Sequence, residues 1–180
     1  QDDTFAQNHS DIAPFAAVGL SYPMARREAG AASQVLTPVV QLGWTDGSRL
    51  DIPNEESTRV EFDQGNILSL SRFPRPDRRE RGTTAAVAVN WSRFDPNGWD
   101  TYVAVGQVFR SISDPAFTDT SGLSGVRSDV LLAGQIKNNA GLSLTARTLV
   151  DSDFDISKAE LRGGWSFGKT TAEGTYVWLE

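Results

Sequence analysis

The stretch Leu142-Ser143-Leu144-Thr145-Ala146-Arg147-Thr148-Leu149-Val150 and the stretch Lys158-Ala159-Glu160-Leu161-Arg162-Gly163-Gly164-Trp165-Ser166-Phe167 decide the fold. In the first, Leu142, Leu144, Ala146, Thr148 and Val150 fall on one face, and Ser143, Thr145, Arg147 and Leu149 on the other. In the second, Ala159, Leu161, Gly163, Trp165 and Phe167 oppose Lys158, Glu160, Arg162, Gly164 and Ser166. Side chains alternate sides along a β-strand, so a period of two means that one face meets something apolar and the other is wet.

Working outward, the same alternation recurs less strictly. Val87, Val89 and Trp91 oppose Ala88, Asn90 and Ser92, and Leu36, Val40, Leu42 and Trp44 oppose Thr37, Gln41 and Thr45. Helical periodicity is nearly absent. The expected elements are strands at 12–22, 34–45, 83–94, 99–112, 126–137, 141–151, 156–167 and 171–179. Asp95-Pro96-Asn97-Gly98, Lys137-Asn138-Asn139-Ala140 and Gly168-Lys169-Thr170 are tight turns. Between them lie longer connections at about 46–82, at 113–125 and at the acidic 151–155. Tight and long connections alternate, and aromatics close several strands (Trp44, Trp91, Phe94, Trp99, Trp165, Phe167, Tyr176, Trp178). Up-and-down outer-membrane barrels show both features: short periplasmic turns with longer outer loops, and aromatic girdles. The expectation is an all-β, antiparallel up-and-down meander of about eight strands, a section of a large outer-membrane β-barrel. The connection at 23–33 is long for its side. Pro14 and Pro38 fall inside expected strands, where the missing N–H interrupts a ladder. Either those strands are locally broken or their boundaries lie elsewhere.

The 180 residues suffice for one domain, here 12–180 behind a flexible N-terminal segment at 1–11. The net charge of −6 argues against nucleic acid as a partner. No apolar run approaches the roughly 18 residues of a membrane helix, but a barrel strand needs only about 9–11, with every second one apolar. The mean hydropathy of −0.33 is compatible with either a barrel or a soluble protein. The chain opens Gln1-Asp2-Asp3 without Met or a signal peptide, as a processed product or a piece of something longer would.

Catalytic chemistry has little to stand on. There is no cysteine, and the single histidine, His9, sits in a polar terminal stretch. No cofactor, metal or catalytic residue is therefore expected. Asp151, Asp153 and Asp155 lack the glycine and distal glutamate of a calcium loop and read as a solvated acidic turn. No phosphate-cradling glycine motif is present.

The long connection is the most specific part. It reads Ile52-Pro53-Asn54-Glu55-Glu56-Ser57, then Val60-Glu61-Phe62-Asp63, Asn66-Ile67-Leu68, Ser71-Arg72-Phe73-Pro74, Asp77-Arg78 and Glu80-Arg81-Gly82. Loops of this length are uncommon unless functional or disordered, and this one is too apolar for plain disorder. It is expected to fold back over or into the lumen of the barrel. Asp63 or Asp77 with Arg72 or Arg78 are candidate ion pairs, since arginine suits bidentate carboxylate pairing. The basic run Arg72, Arg75, Arg78, Arg79 and Arg81 is better read as charge balance within the loop than as a phosphate site.

This segment resembles the LptD family of lipopolysaccharide-assembly proteins. That family shows an Ile-Pro-Asn-Glu-Asp-Ser run, an acidic-aromatic-Asp element, an Asn-Leu-Phe element and an Asn-Arg-Phe…Asp-Arg element ending in glycine. Here Glu56 replaces Asp, Ile67-Leu68 replaces Leu-Phe, Ser71 replaces Asn and Arg75 replaces Gly. Val105-Gly106-Gln107, Ser121-Gly122-Leu123 and Ser128-Asp129 are also similar. The resemblance implies a non-catalytic outer-membrane translocon of Gram-negative cells that inserts lipopolysaccharide into the outer leaflet. It implies a periplasmic jelly roll and further barrel strands elsewhere in the protein, with the lipoprotein LptE inside the lumen. This piece would be a central wall and one extracellular loop. Arg147, Lys158, Glu160 and Arg162 are the candidates for the lumen face. Two other readings stay open: an independent small outer-membrane barrel acting as pore or adhesin, and a soluble lipocalin-like or β-sandwich binding module.

Overall fold

The computed structural model describes residues 12–27, 32–46, 60–74 and 79–179. They form one antiparallel sheet of nine strands: β1 (Phe15–Ser21), β2 (Met24–Arg27), β3 (Ser33–Thr45), β4 (Gly82–Phe94), β5 (Trp99–Arg110), β6 (Val130–Asn138), β7 (Leu142–Val150), β8 (Ile156–Phe167) and β9 (Thr170–Leu179). Each strand from β3 onward pairs with the next in sequence, and β1 and β2 both pair with β3. Among the described residues β1 and β9 do not meet, so the sheet is open and not a closed small barrel. The meander of the sequence reading is present, with, among the described residues, one strand more than expected and no helix beyond a 3-10 turn at Asp119–Ser121.

The two prolines resolve by position. Pro14 precedes β1, and its carbonyl accepts from the N–H of Asp46 at 2.9 Å. The expected start at residue 12 is therefore corrected to Phe15. Pro38 lies inside β3, and its carbonyl accepts from the N–H of Tyr22 at 3.1 Å. In an antiparallel ladder both polar groups of a residue point to the same side. The donor that Pro38 lacks would thus face the Tyr22-Pro23 interruption between β1 and β2, so the β3–β4 ladder runs unbroken from Ser33↔Phe94 to Thr45↔Gly82. The overlong connection at 23–33 contains β2. The sixth strand begins at Val130 and not at 126, because the preceding residues wrap back toward β5.

Turn chemistry follows the sequence closely. Between β4 and β5, Gly98 donates to the Asp95 carbonyl at 3.2 Å and Asn97 to Asp95 Oδ1 at 3.0 Å. That Asn97 N–H, and then the Arg93 guanidinium, hold the Asp95 carboxyl below its usual range. The tight turns lie at one end of the sheet, and the strand ends from which the longer connections leave (Thr45, Arg110 and Val150) lie at the other.

Candidate functional site: an apolar outer face and a loop-capped inner face

The strand registers sort the side chains into two faces. One carries Val18, Leu20, Leu36, Val40, Leu42, Trp44, Val87, Val89, Val103, Val105, Leu132, Leu142, Leu144, Leu161, Trp165, Tyr176 and Trp178, and all of these are exposed. Leu142, Leu144, Leu161 and Trp165 are 40–45 % exposed, so they are not packed beneath a hydrated shell. A contiguous apolar surface of this size is foreign to soluble monomers. Apolar residues also flank the rows at both ends: Trp44 and Trp178 toward the long connections, Trp91, Trp99 and Trp165 toward the tight turns.

The opposite face is built differently at its two ends. Toward the tight turns it is polar, with Asn90, Tyr102, Gln135, Thr145 and Arg162, and on β7 and β8 the polar row continues through Arg147, Glu160 and Lys158 toward the long connections. Toward the long connections it carries small side chains, Ala86 and Ala88 of β4 and Ala104 and Gly106 of β5, and the connections fold down onto them. Phe62, Ile67, Phe73, Phe117 and Leu123 pack there against Ala86, Ala88, Val108, Leu131 and Leu149. Burying each large side chain is worth about 1.5–3 kcal/mol, so this cap is an ordered core. The sequence reading made the inner face uniformly wet. It is wet over one half only, because the loop buries its apolar residues against the other.

Two glycines make the fit possible. A Cβ on Gly106 would collide with Ile67 Cδ1 and stand 2.8 Å from the Val87 carbonyl oxygen. A Cβ on Gly43 would collide with the Leu70 side chain and lie 2.9 Å from Thr84 Oγ1. The strand surface is thus hollowed where Ile67 and Leu70 dock. Gly82, the last residue of the loop motif, has φ +84°, a conformation that glycine adopts without strain.

A buried ionic cluster fastens the cap. Glu80 Oε1 accepts from the backbone N–H of Arg72 at 2.8 Å and from its guanidinium at 2.8 Å, and Glu80 Oε2 lies 3.7 Å from the guanidinium of Arg110. The three side chains are 1–3 % exposed. Arg72 also donates to the Ile67 carbonyl at 2.9 Å, and Arg110 donates to the carbonyls of Leu123 and Gly125. The Arg110 guanidinium sits 4.8 Å over the Phe117 ring, which stacks on Phe73 at 4.7 Å. This cluster ties the 60–81 connection and the 111–129 connection to the end of β5. A second network links Asp63 to Arg147 (3.4 Å), Arg147 to Glu160, and Glu160 to Lys158 (2.7 Å). It anchors the loop motif to the polar row on the inner face of β7 and β8. Asp63 also closes a reciprocal turn with Asn66: Asn66 donates its backbone N–H to Asp63 Oδ1, and Asp63 donates its own to Asn66 Oδ1.

These contacts correct the expected ion pairs. Arg72 pairs with Glu80 and not with Asp63, and Asp63 reaches Arg147 on the wall; the pairings expected of Asp77 and Arg78 fall outside the described residues. Ile52, Pro53, Asn54, Glu55, Glu56 and Ser57 lie outside the described residues, as do Asp77, Arg78 and residues 1–11 with His9. Within the motif, Phe62, Arg72 and Phe73 are buried, and Glu61 is exposed. Of the lumen-face candidates, Arg147, Lys158 and Glu160 come together, and Arg162 stands apart, bonded to Glu173 at 3.0 Å. Sequence reasoning missed Glu80, Arg110, Phe117 and the docking glycines as site residues. A signal did exist: Arg110 and Gly106 share the inner row of β5 with Ala104 and Val108. In the acidic turn, Asp151 Oδ1 accepts from the N–H groups of Asp153 (2.8 Å) and Asp155 (2.9 Å), a self-contained turn. Among the described residues no group of carboxylates or histidines is arranged to hold a metal ion.

An open antiparallel sheet with one exposed apolar face, aromatic margins and a loop-capped inner face belongs to the class of outer-membrane β-barrel proteins. Within that class the chain is a member of the LptD family: the family model described as LPS transport system D matches residues 1–180, the whole chain. The family is one of transport and assembly and places this chain in lipopolysaccharide transport to the outer membrane. No curated protein matches the chain.

Proposed function

We propose that this chain is a wall of the lipopolysaccharide translocon, with the apolar rows against acyl chains and the opposite face toward an enclosed lumen that the folded connection caps. The observation that carries the reading is the continuous run of exposed Leu, Val and Trp side chains on a single face. From Leu36, which pairs with Trp91, to Trp44 is eight residue steps, about 27 Å at roughly 3.3–3.4 Å per residue. At a barrel tilt of about 40° that spans about 20 Å along the membrane normal, close to the ~25 Å band of outer-membrane barrels. The step is non-catalytic: no bond is made or broken, and the wall supplies lipid contact, closure and partner contacts.

On this reading the polar half of the inner face meets the lipoprotein LptE or further ordered loops, and the remaining strands and the periplasmic jelly roll complete the protein. Arg162 is the best probe of that contact, since its side chain is 65 % exposed while Arg147 is engaged by the loop. Arg162→Glu in the full-length protein should lower LptE co-purification, and an unchanged yield counts against the contact. The wall itself is tested by Leu161→Arg. An arginine facing lipid at mid-depth costs about 2–4 kcal/mol, so membrane-inserted protein should fall sharply. A soluble module would tolerate an arginine at this exposed position, and normal insertion of the variant overturns the reading.

A further inference from the structure

We propose that the cleft at the long-connection rim, between the 111–129 and 151–155 connections, is a saccharide-binding site that takes a neutral hexopyranose on the ring of Phe154. The cleft has a volume of about 800 Å³ and is lined by Gln107, Asp119, Arg127, Asp129, Asp151 and Phe154, with serine and threonine hydroxyls between them. That volume lies within the usual range for small-molecule sites, roughly 300–1,000 Å³.

Three features select the ligand. The first is Phe154, 88 % exposed and outside the apolar rows of the strands. Its connection is held by hydrogen bonds that do not involve the ring: Asp151 donates its N–H to the Asp155 carbonyl at 3.0 Å, and Asp151 Oδ1 receives the two N–H groups that flank Phe154. The ring is therefore presented as a flat apolar plate beside a polar cleft, which suits the C–H face of a pyranose. The second is the density of hydrogen-bonding groups. Carboxylates accept, a guanidinium donates, and hydroxyls do both, which matches a ligand that offers a hydroxyl on nearly every carbon. The third is charge. Asp119, Asp129 and Asp151 outweigh Arg127, whose guanidinium lies 5.6 Å over the Phe109 ring. A phosphorylated or carboxylated sugar would meet net repulsion, so the fit is to an uncharged one. A cation site is the poorer explanation, because these carboxylates are spread round the cleft and are not arranged as a ligand set.

The location rests on the outer-membrane reading above, in which this rim meets the saccharide headgroups of the outer leaflet. Binding in solution does not depend on it, so the two can fail separately. The test uses the full-length protein in a detergent without a sugar headgroup. Saturation-transfer NMR is recorded with methyl β-D-glucopyranoside, with methyl β-D-galactopyranoside, with glucose 6-phosphate and with calcium chloride added alone. Transfer to the C–H protons of a neutral glycoside is expected. Phe154→Ala should weaken binding roughly 2- to 10-fold, the stacking increment expressed as affinity, and Phe154→Tyr should retain it. Asp119→Asn, at an exposed position, should also weaken it. Absence of transfer, preference for the phosphorylated sugar, indifference to Phe154→Ala, or calcium binding without saccharide binding would each overturn the proposal.

Discussion

Replacing Glu80 by glutamine tests what fastens the loop to the wall. The Glu80 carboxylate is the shared partner of two buried guanidiniums, touching Arg72 at 2.8 Å and Arg110 at 3.7 Å. Glutamine keeps the shape and one acceptor oxygen but removes the charge, leaving two cations facing each other out of water. Breaking a buried pair in this way costs about 3–5 kcal/mol, since the stranded charge is not rehydrated. Arg110 also feels Asp114, which offsets part of the loss, so the lower half of that range is expected. The cost falls on the attachment of the 60–81 connection, because the strand ladders are untouched. Local opening of that segment should therefore rise by roughly two orders of magnitude, at about 1.4 kcal/mol per tenfold. Limited proteolysis of protein reconstituted in lipid vesicles reads this opening directly: cleavage at the arginines of the loop should accelerate by that factor, with the strands still protected. Replacing the whole cluster (Arg72→Met, Glu80→Leu, Arg110→Met) should restore most of the protection, because a well-packed apolar set removes the desolvation problem. An acceleration below about fivefold for Glu80→Gln, which is about 1 kcal/mol, would refute the assignment of the cluster as the fastening.

The docking glycines give a steric counterpart. Gly106→Ala should release Ile67 and raise loop proteolysis without loss of strand content, because its Cβ also presses on the immovable Val87 carbonyl; Gly43→Ala should do so less, since Leu70 can turn aside. Arg147→Met should free Asp63 and expose the 60–66 turn to cleavage, whereas Arg162→Met, at a solvent-exposed pair, should change thermal stability by less than about 1 kcal/mol. Asp129 provides a pH signature. Burial raises its carboxyl above the usual range, partly opposed by the hydrogen bond from Ser157. The folded state thus favours the protonated acid, and this contribution is present at low pH and lost as pH rises through the raised value. Asp129→Asn should melt at a higher temperature than the parent at pH 7, with the gap closing below about pH 4, near the ordinary aspartate value; an equal gap at both pH values would contradict the burial argument.

The alternation of Leu142 to Val150 and of Lys158 to Phe167 was enough to place those strands and to assign their faces, because the pleat turns successive side chains to opposite sides whatever the rest of the protein does. The turn at Asp95–Gly98 was equally plain, since its conformation is set by the residues within it. The prolines were legible as trouble but not as a solution. Pro38 is acceptable only because the partner beside it is broken at Tyr22-Pro23, a fact about another strand.

The sequence by itself thus determined the all-β meander, the direction of the apolar rows and the apolar, core-forming character of the described stretch 60–74, all of which follow from local geometry and from the composition of contiguous residues. Only the tertiary structure decided that Glu80 answers both Arg72 and Arg110, that Asp63 reaches Arg147, and that Gly43 and Gly106 are seats for Leu70 and Ile67. Charges and hollows do not announce their partners along a chain. Electrostatic and steric fit act through space, and here the spacing is set by a fold that brings into contact residues as far apart in the chain as Gly43 and Leu70, Ile67 and Gly106, or Asp63 and Arg147.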